Sequence, residues 1–193
     1  RAMDTFGDKL CLASSLGLED QLLTHELLQL NPTASIFILD TGRLNAETHR
    51  VMQETMDRYQ LTYNIYYPQD TAVTKLVQEK GEFSFYESIE NRKECCQIRK
   101  VEPLNRALAG FDAWITGLRQ EQALTRVDLR LFEEDTAHHM IKVNPLWDWT
   151  YDQVFAAIKT LDIPYNALHD QGYPSIGCEP CTRAIKPGED KRA

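Results

Sequence analysis

The sequence predicts an α/β fold, with one doubly wound, mostly parallel sheet of five to six strands and helices on both faces. Short apolar runs alternate with helical patterns along most of the 193 residues, which is typical of a parallel sheet covered on both sides. Several strand ends lead into loops that carry Gly, Ser or Arg. Such sheets bind ligands beyond the carboxyl ends of their strands, so one domain over residues 1–193 with its site at that edge is expected.

The first half of the chain supplies three strands and three helices. Each predicted strand is an apolar run, and each predicted helix shows an amphipathic period or a helix-start signal. Asn45 is the expected N-cap of the second helix, which runs through Tyr59. The strands are Leu10–Ala13, Ile36–Leu39 and Tyr63–Tyr67, and the other two helices are Leu18–Leu30 and Thr71–Lys80.

In the second half of the chain, the predicted helices and strands follow a less regular pattern. The segment from Phe83 to Gly110 is expected to be mostly helical, with an interruption or restart at Pro103. Two more strands are expected at Ala113–Thr116 and Met140–Val143. The polar stretch from Asp128 to His139 reads as an exposed loop or hairpin. Thr150 is expected to cap a last helix, Tyr151–Leu161, and the remainder is rich in Gly and Pro.

Composition narrows the classes of function. The chain has 21 basic and 29 acidic residues and a formal charge of -8, so neither nucleic acid nor an anionic membrane surface is an expected partner. An anion site must therefore be a local basic pocket. No apolar stretch approaches a membrane span and no signal segment opens the sequence, so a cytoplasmic protein is expected.

The stretch from Ser14 to Asp20, SSLGLED, lies between a strand and a helix start. Free backbone N–H groups, small side chains and the helix dipole at such a turn make a cradle for an anion. It lacks the GK[ST] ending of a Walker loop. An ordinary serine-capped turn explains these residues equally well.

Two further strand ends reach the same predicted edge. One carries Asp40-Thr41-Gly42-Arg43, and the other carries Gly117 and Arg119, with Arg126 following. Each alone could be a plain turn. Together they favour an anion site, because the planar guanidinium of arginine binds phosphate or sulfate through two parallel hydrogen bonds.

Four of the five cysteines fall in two short segments, an adjacent pair Cys95-Cys96 and a CxxC pair Cys178/Cys181. On a helix, adjacent side chains point roughly 100° apart, which suits two ligands that reach different corners of one bound group. A [4Fe-4S] cluster tolerates this arrangement because each thiolate binds a different iron. Zinc on four cysteines and a thiol–disulfide pair at Cys178/Cys181 are the alternatives; Cys11 reads as a core residue.

Several motifs resemble the assimilatory adenosine 5′-phosphosulfate reductases, of the phosphoadenylyl-sulfate reductase family. The resemblance runs from about Leu10 to Asp190 and rests on SxGxxD, CCxxRKxxPL, LDTGR, TGLRxxQ, NPLxxW and LHDxGYPSIGCEPCTR. It implies an adenine nucleotide alpha-hydrolase-like fold and reduction of adenosine 5′-phosphosulfate to sulfite, with AMP as the leaving group. It also implies thioredoxin, or a glutaredoxin-like protein, as reductant, and possible homo-oligomers.

The resemblance also implies roles for individual residues. One [4Fe-4S] cluster would be bound by Cys95, Cys96, Cys178 and Cys181, and Lys100 would support catalysis between cluster and sulfonate. The residues expected to bind substrate are Ser14, Ser15, Gly17, Glu19, Asp20, Leu39, Asp40, Thr41, Gly42, Arg43, Lys100, Gly117, Arg119 and Arg126.

One departure from the family pattern concerns the nucleophile. The family carries it in a C-terminal KxECGxH segment, which this sequence lacks. We therefore expect a cysteine-bearing catalytic tail to be missing. Two other functions stay open at this point: reduction of 3′-phosphoadenosine phosphosulfate, alone or with the unphosphorylated substrate, and a zinc-stabilised nucleotide-binding module without turnover.

Overall fold

The computed structural model describes residues 1–123, 126, 128–186 and 189. Within this part of the chain, six strands form one sheet in the order β3-β2-β1-β4-β6-β5. The strands are β1 (Leu10–Ser14), β2 (Ser35–Leu39), β3 (Asn64–Tyr66), β4 (Ala113–Ile115), β5 (Phe132–Asp135) and β6 (Met140–Val143). The α-helices are α1 (Ala2–Phe6), α2 (Leu18–Leu30), α3 (Ala46–Tyr59), α4 (Asp70–Lys80), α5 (Ile89–Cys96), α6 (Glu102–Leu108) and α7 (Tyr151–Thr160).

The predicted fold class is confirmed. Strands β1 to β4 and β6 pair in parallel, and β5 alone is antiparallel, against β6. The stretch predicted as a loop or hairpin from Asp128 to His139 therefore contains an edge strand. Because three of the four residues of β5 are acidic, it has no apolar run that would identify it as a strand.

Alternation along the strands builds a core on each face of the sheet. Leu12 and Ile38 lie in a cluster with apolar residues of α2 and α7. Cys11 and Phe37 point to the other face, where they pack with Ala107 and Leu108 of α6. This arrangement follows from the period of two in a β-strand and leaves the carboxyl ends of the parallel strands at one edge.

The cysteine-bearing helical segment differs in detail from its prediction. A π-helical turn, Gln97–Val101, separates α5 from α6, and α6 begins at Glu102, with Pro103 in its first turn. Proline is tolerated there because the first N–H groups of a helix lack intrahelical partners. The π turn widens the helix directly after the adjacent cysteines. In the described part of the chain, no helix combines the length and apolar character needed to cross a membrane.

Candidate active site

The turn from β1 into α2 is held by a buried carboxylate. Asp20 accepts hydrogen bonds from the backbone nitrogen of Ser15 at 2.7 Å and from its hydroxyl at 2.5 Å. The backbone of Gly117, in the loop after β4, also donates to it. Burial raises the pKa of Asp20 to about 6, with these hydrogen bonds opposing the rise. Asp20 therefore ties two of the predicted strand-end loops together.

Gly117 allows the close approach of these loops. A Cβ atom at this position would lie 2.8 Å from the Cβ of Glu19 and would overlap the carboxylate of Asp20. Real side chains do not tolerate such contacts without displacement. Glycine at this position is therefore a steric requirement of the site.

The N-terminus of α2 faces the same region. Its N-cap is Gly17, and no described side chain caps it. In the preceding turn, Leu16 adopts a left-handed backbone with φ of 62°, and its N–H donates to the Ser14 hydroxyl at 3.1 Å. The N–H groups of Ser15 and Gly17 are likewise bonded, to the Asp20 carboxylate and the Ser15 hydroxyl. The predicted cradle is therefore limited to the first N–H groups of α2, which favour an anionic ligand.

Arg119, predicted to bind substrate, lies among acidic side chains. Its guanidinium is 4% exposed and pairs with Glu19 and Glu121, each at 2.8 Å. Arg126 donates to the side chain of Gln122. Arg119 is therefore positioned and largely neutralised by its own chain.

Two adjoining cavities open at this edge of the sheet. The larger cavity has a volume of about 480 Å³ and is lined by Gly17, Glu19, Asp20, Gly117, Arg119 and Arg126, among others. The smaller cavity, about 280 Å³, is more apolar and reaches Leu39, Thr41, Lys100 and Cys178. Ala13, Ser15, Trp114 and Ile176 line both. An elongated ligand could occupy the two cavities together.

The four motif cysteines meet beyond the smaller cavity, in what we call the cysteine corner. Cys95 and Cys96 end α5, and Cys178 and Cys181 flank a short 3₁₀ turn. Burial raises the pKa of Cys95, an effect that Arg99 and Arg43 oppose and that Cys96 and Cys178 increase. The pKa of Cys181 is also raised, mainly by burial. These mutual effects place the thiols within electrostatic reach of one another.

The loop after β2 connects the two cysteine segments. The Thr41 hydroxyl lies 3.2 Å from the Cys178 sulfur, and the Thr41 carbonyl accepts from the Arg99 guanidinium at 2.7 Å. The N–H of Glu179 donates to the carbonyl of Arg43 at 2.8 Å. Gly42 turns this loop with φ of 71°, a conformation that favours glycine. This loop, whose residues are predicted to bind substrate, thus also supports the cysteine corner.

Two arginines bring unpaired donors to the cysteine corner. Among the described residues, the Nε atoms of Arg43 and Arg99 are buried without a hydrogen-bond acceptor. Arg43 otherwise pairs with Glu82 at 2.7 Å and lies 4.6 Å from the ring centroid of Phe85. Buried donors of this kind normally have a partner. Their position beside four thiols fits an anionic group bound by those thiols.

The chemistry of the donor groups indicates which kind of metal group the cysteine corner could hold. Among the described residues, no three His, Cys, Asp or Glu side chains converge on one point as ligands of a single ion would. Four thiolates that each bind a different iron are further apart than the four thiolates of a tetrahedral zinc site. The donor set, four cysteine thiols with two buried guanidinium nitrogens nearby, suits an iron–sulfur cluster held by thiolates.

Lys100 lies between the cysteine corner and the smaller cavity. It lines the cavity, and its Nζ would lie 3.9 Å from a Cβ at Gly177, the residue before Cys178. Its charge acts to lower the pKa of Cys181. One side chain therefore reaches both the thiols and the space open to a ligand.

The structure brings together most of the predicted site residues. Asp40, Gly42 and Arg43 line neither cavity; Asp40 instead accepts from the N–H of Gly42 at 2.8 Å. Cavity-lining residues that were not predicted as site residues include Trp114, Lys142, Tyr151, His169 and Ile176. Lys142 had a visible signal, since it is a charged residue inside an otherwise apolar predicted strand. The predicted loss of a catalytic tail concerns sequence beyond Glu189, outside the described residues.

Comparisons with known proteins match this chain to one kind of reductase. Residues 9–184 match the phosphoadenosine phosphosulfate reductase domain. An adenosine 5′-phosphosulfate reductase of Burkholderia cepacia is 54% identical over 96% of this chain and 74% of its own length. One from Allochromatium vinosum is 47% identical over 96% of this chain and 73% of its own length.

A solved structure supports the same relationship. The phosphoadenylyl-sulfate (PAPS) reductase of Candida auris, in a phosphate complex, has a TM-score of 0.80 and 30% identity. The match covers 94% of this chain and 86% of that protein.

Proposed function

This chain belongs to the phosphoadenosine phosphosulfate reductase family, and on that premise we propose that it reduces adenosine 5′-phosphosulfate to sulfite and AMP in sulfate assimilation. The observation that carries the proposal is the position of Lys100, which reaches both the four-cysteine corner and a cavity at the edge of the sheet. A substrate bound there would place its sulfonate between Lys100 and the thiols.

The two cavities suit the parts of this nucleotide. The first N–H groups of α2 would hold the phosphate. Ser14, Ser15 and Gly17 lie beside this helix start, and Ser15 and Gly17 would bind the phosphate only by exchanging their present hydrogen bonds. The smaller cavity would take the sulfonate beside Lys100, and the larger would take the rest of the nucleotide. Arg119 and Arg126 would bind the nucleotide only by exchanging part of their present contacts.

We propose that Cys95, Cys96, Cys178 and Cys181 hold a [4Fe-4S] cluster. When bound, it would supply local charge and structural order rather than electrons, which enter through thiols. The unpaired Nε atoms of Arg43 and Arg99 would help to hold its negative charge. Thiol ligands persist in a reducing compartment, which supports a cytoplasmic location.

The proposed reaction begins with attack of a cysteine thiolate on the sulfur of the sulfonate. The new S–S bond forms as the S–O bond to phosphate breaks, and the electron pair of that bond leaves with AMP. Lys100 would lower the cost of bringing an anionic nucleophile to an anionic sulfonate. Dithiol thioredoxin, or a glutaredoxin-like protein, then supplies two electrons, which releases sulfite and restores the cysteine thiol.

The nucleophile is proposed to lie outside the five cysteines of this sequence. Four are assigned to the cluster. Cys11 is buried in β1, where burial raises the pKa of its thiol to about 12, so it forms little thiolate at neutral pH. A cysteine on a further segment of the natural polypeptide would supply the thiolate.

A direct comparison of substrates tests this function. We expect the natural polypeptide, assayed anaerobically with reduced thioredoxin, to release sulfite from adenosine 5′-phosphosulfate with one AMP per sulfite. Release from the 3′-phosphorylated substrate alone would contradict the substrate assignment. Nucleotide binding without sulfite from either substrate, together with stoichiometric zinc, would contradict the enzyme assignment.

A further inference from the structure

The larger cavity contains a cation that the proposed mechanism does not use. Lys142 lies on β6 and lines this cavity with Arg119 and Arg126. Arg119 is already paired with two carboxylates at 2.8 Å, and Arg126 donates to Gln122. Arg119 therefore offers little net charge to an anionic ligand, and Lys142 adds a basic group to this cavity.

Lys142 is held over an aromatic ring rather than by a carboxylate. It lies opposite Trp114 in the β4–β6 register, and its Nζ is 5.7 Å from the centroid of the indole ring. In the part of the chain that the structure describes, Lys142 makes no ion pair. A cation–π contact at a partly exposed site contributes only about 0.5–1 kcal/mol, so an anion in the cavity can compete for the ammonium group.

The indole ring of Trp114, which lies beneath Lys142, is held in place by a hydrogen bond to Asp135. The Trp114 Nε1–H donates to Asp135 at 3.1 Å, and the same carboxylate oxygen lies 2.9 Å from Nδ1 of His138. Burial acts to raise the pKa of Asp135, but His138, with a smaller effect of Lys142, lowers it overall. The carboxylate of Asp135 is thus occupied by Trp114 and His138. Glu133, which is opposite Lys142 in the β5–β6 register, accepts a hydrogen bond from Asn144 at 2.9 Å, so both nearby carboxylates have other partners.

We propose that Lys142 is a phosphate-binding residue of the larger cavity, contacting a phosphate group of the bound adenosine nucleotide. This inference rests on the proposed function. The sulfonate end is assigned to Lys100 in the smaller cavity, and Ser15 and Trp114, which line both cavities, connect that end to Lys142. Either the 5′-phosphate or a 3′-phosphate on the ribose could supply the same oxygen atoms.

Binding of three ligands distinguishes the two phosphate positions. Dissociation constants of adenosine, AMP and adenosine 3′,5′-bisphosphate would be measured by calorimetry for the wild-type chain, Lys142→Met and Lys142→Arg. Methionine keeps an unbranched side chain against Trp114 without its charge, and arginine restores the charge. Lys75→Met is the matched control, because Lys75 is exposed on α4.

We expect Lys142→Met to weaken AMP binding roughly tenfold or more, the effect of one charge-assisted hydrogen bond. Adenosine binding should stay unchanged, and Lys142→Arg should recover most of the loss. A loss confined to the bisphosphate would also support the proposal and would assign Lys142 to the 3′ position.

Two results would overturn the proposal while leaving the function intact: equal weakening of adenosine and AMP, or no weakening of either phosphorylated ligand. If the wild-type chain bound none of the three ligands, both the proposal and the proposed function would be wrong.

Discussion

The cysteine corner and the larger cavity differ in how fully their buried polar groups are paired. In the larger cavity, Arg119 is paired with two carboxylates and Asp20 accepts several hydrogen bonds. In the cysteine corner, the Nε atoms of Arg43 and Arg99 have no acceptor among the described residues, and of the four thiols Cys178 lies 3.2 Å from the Thr41 hydroxyl. Because unpaired buried donors destabilise a fold, we expect the corner to depend on a bound group. In the cavity, Arg119 and Asp20 are held by the chain itself, although Nε2 of His169 there is also buried without a partner among the described residues.

We therefore expect substitutions in the two regions to have different kinds of effect. Loss of a ligand in the corner should remove the bound group and the order that it gives. Changes in the cavity should alter affinity or pH response while the fold persists. The following four experiments, in decreasing order of expected effect, test this difference.

Cys96→Ser should give the largest change. We expect loss of most iron and sulfide and a fall in the thermal unfolding midpoint of roughly 10 °C or more, because metal-site energy is also folding energy. Iron and sulfide assays with anaerobic calorimetry measure both. Cys11→Ala serves as the control cysteine and should keep its iron. Full iron content in Cys96→Ser would show that the adjacent pair does not supply two ligands.

Lys100→Ala should keep the bound group but impair substrate binding. We expect adenosine 5′-phosphosulfate to bind roughly tenfold to hundredfold more weakly, with a smaller effect on AMP, because a charge-assisted contact to the sulfonate is lost. Calorimetric titration and iron content check the two expectations. Lys93→Ala, an exposed change on α5, is the control. Equal affinity of both nucleotides for the variant and the wild type would exclude the role given to Lys100.

Gly117→Ala should destabilise the cavity region by about 1–3 kcal/mol, because the new methyl group would collide with Glu19 and Asp20. Gly177→Ala in the cysteine corner is the matched substitution. Its Cβ would meet Thr182 at 3.4 Å and Lys100 at 3.9 Å, which is ordinary contact distance. Urea unfolding of both variants measures the difference. Similar stability of the two would contradict the steric requirement at Gly117.

The smallest effect should be the pH response of Asp20. Burial raises its pKa to about 6, above the ordinary value near 4, so the folded state binds the proton more tightly than the unfolded state. The stability from this neutral carboxyl is therefore full below about pH 4 and lost as pH rises through 6. The unfolding midpoint of the wild type relative to Asp20→Asn should fall between pH 4 and 6 and then level off. A midpoint difference that rises over this interval would contradict the buried-carboxyl account.

Sequence alone predicted the elements whose signal is local. The strands β1 and β2 are continuous apolar runs, and Thr150 caps α7 through its hydroxyl, as expected. Strand β5 was not identified as a strand because an exposed edge strand can be acidic. The π turn at Gln97–Val101 was also missed, since proline at position 103 was the only break that the sequence marked.

The ion pairs of the site could not be predicted from the sequence. Arg43 and Arg119 were predicted to bind substrate from their residue type and loop position. Their partners, Glu82 for Arg43 and Glu19 for Arg119, are 39 and 100 residues distant in the chain, so only the fold shows that these guanidinium groups are already engaged. The role of either arginine toward substrate stays a prediction.

The metal content of the wild-type chain tests the central claim most directly. Anaerobic purification followed by iron, acid-labile sulfide and zinc analysis should yield a coloured protein with about four iron and four sulfide per chain and little zinc. A colourless protein with one zinc per chain and no sulfide would contradict the cluster, and with it the account of why the donors of Arg43 and Arg99 lie unpaired beside four cysteines.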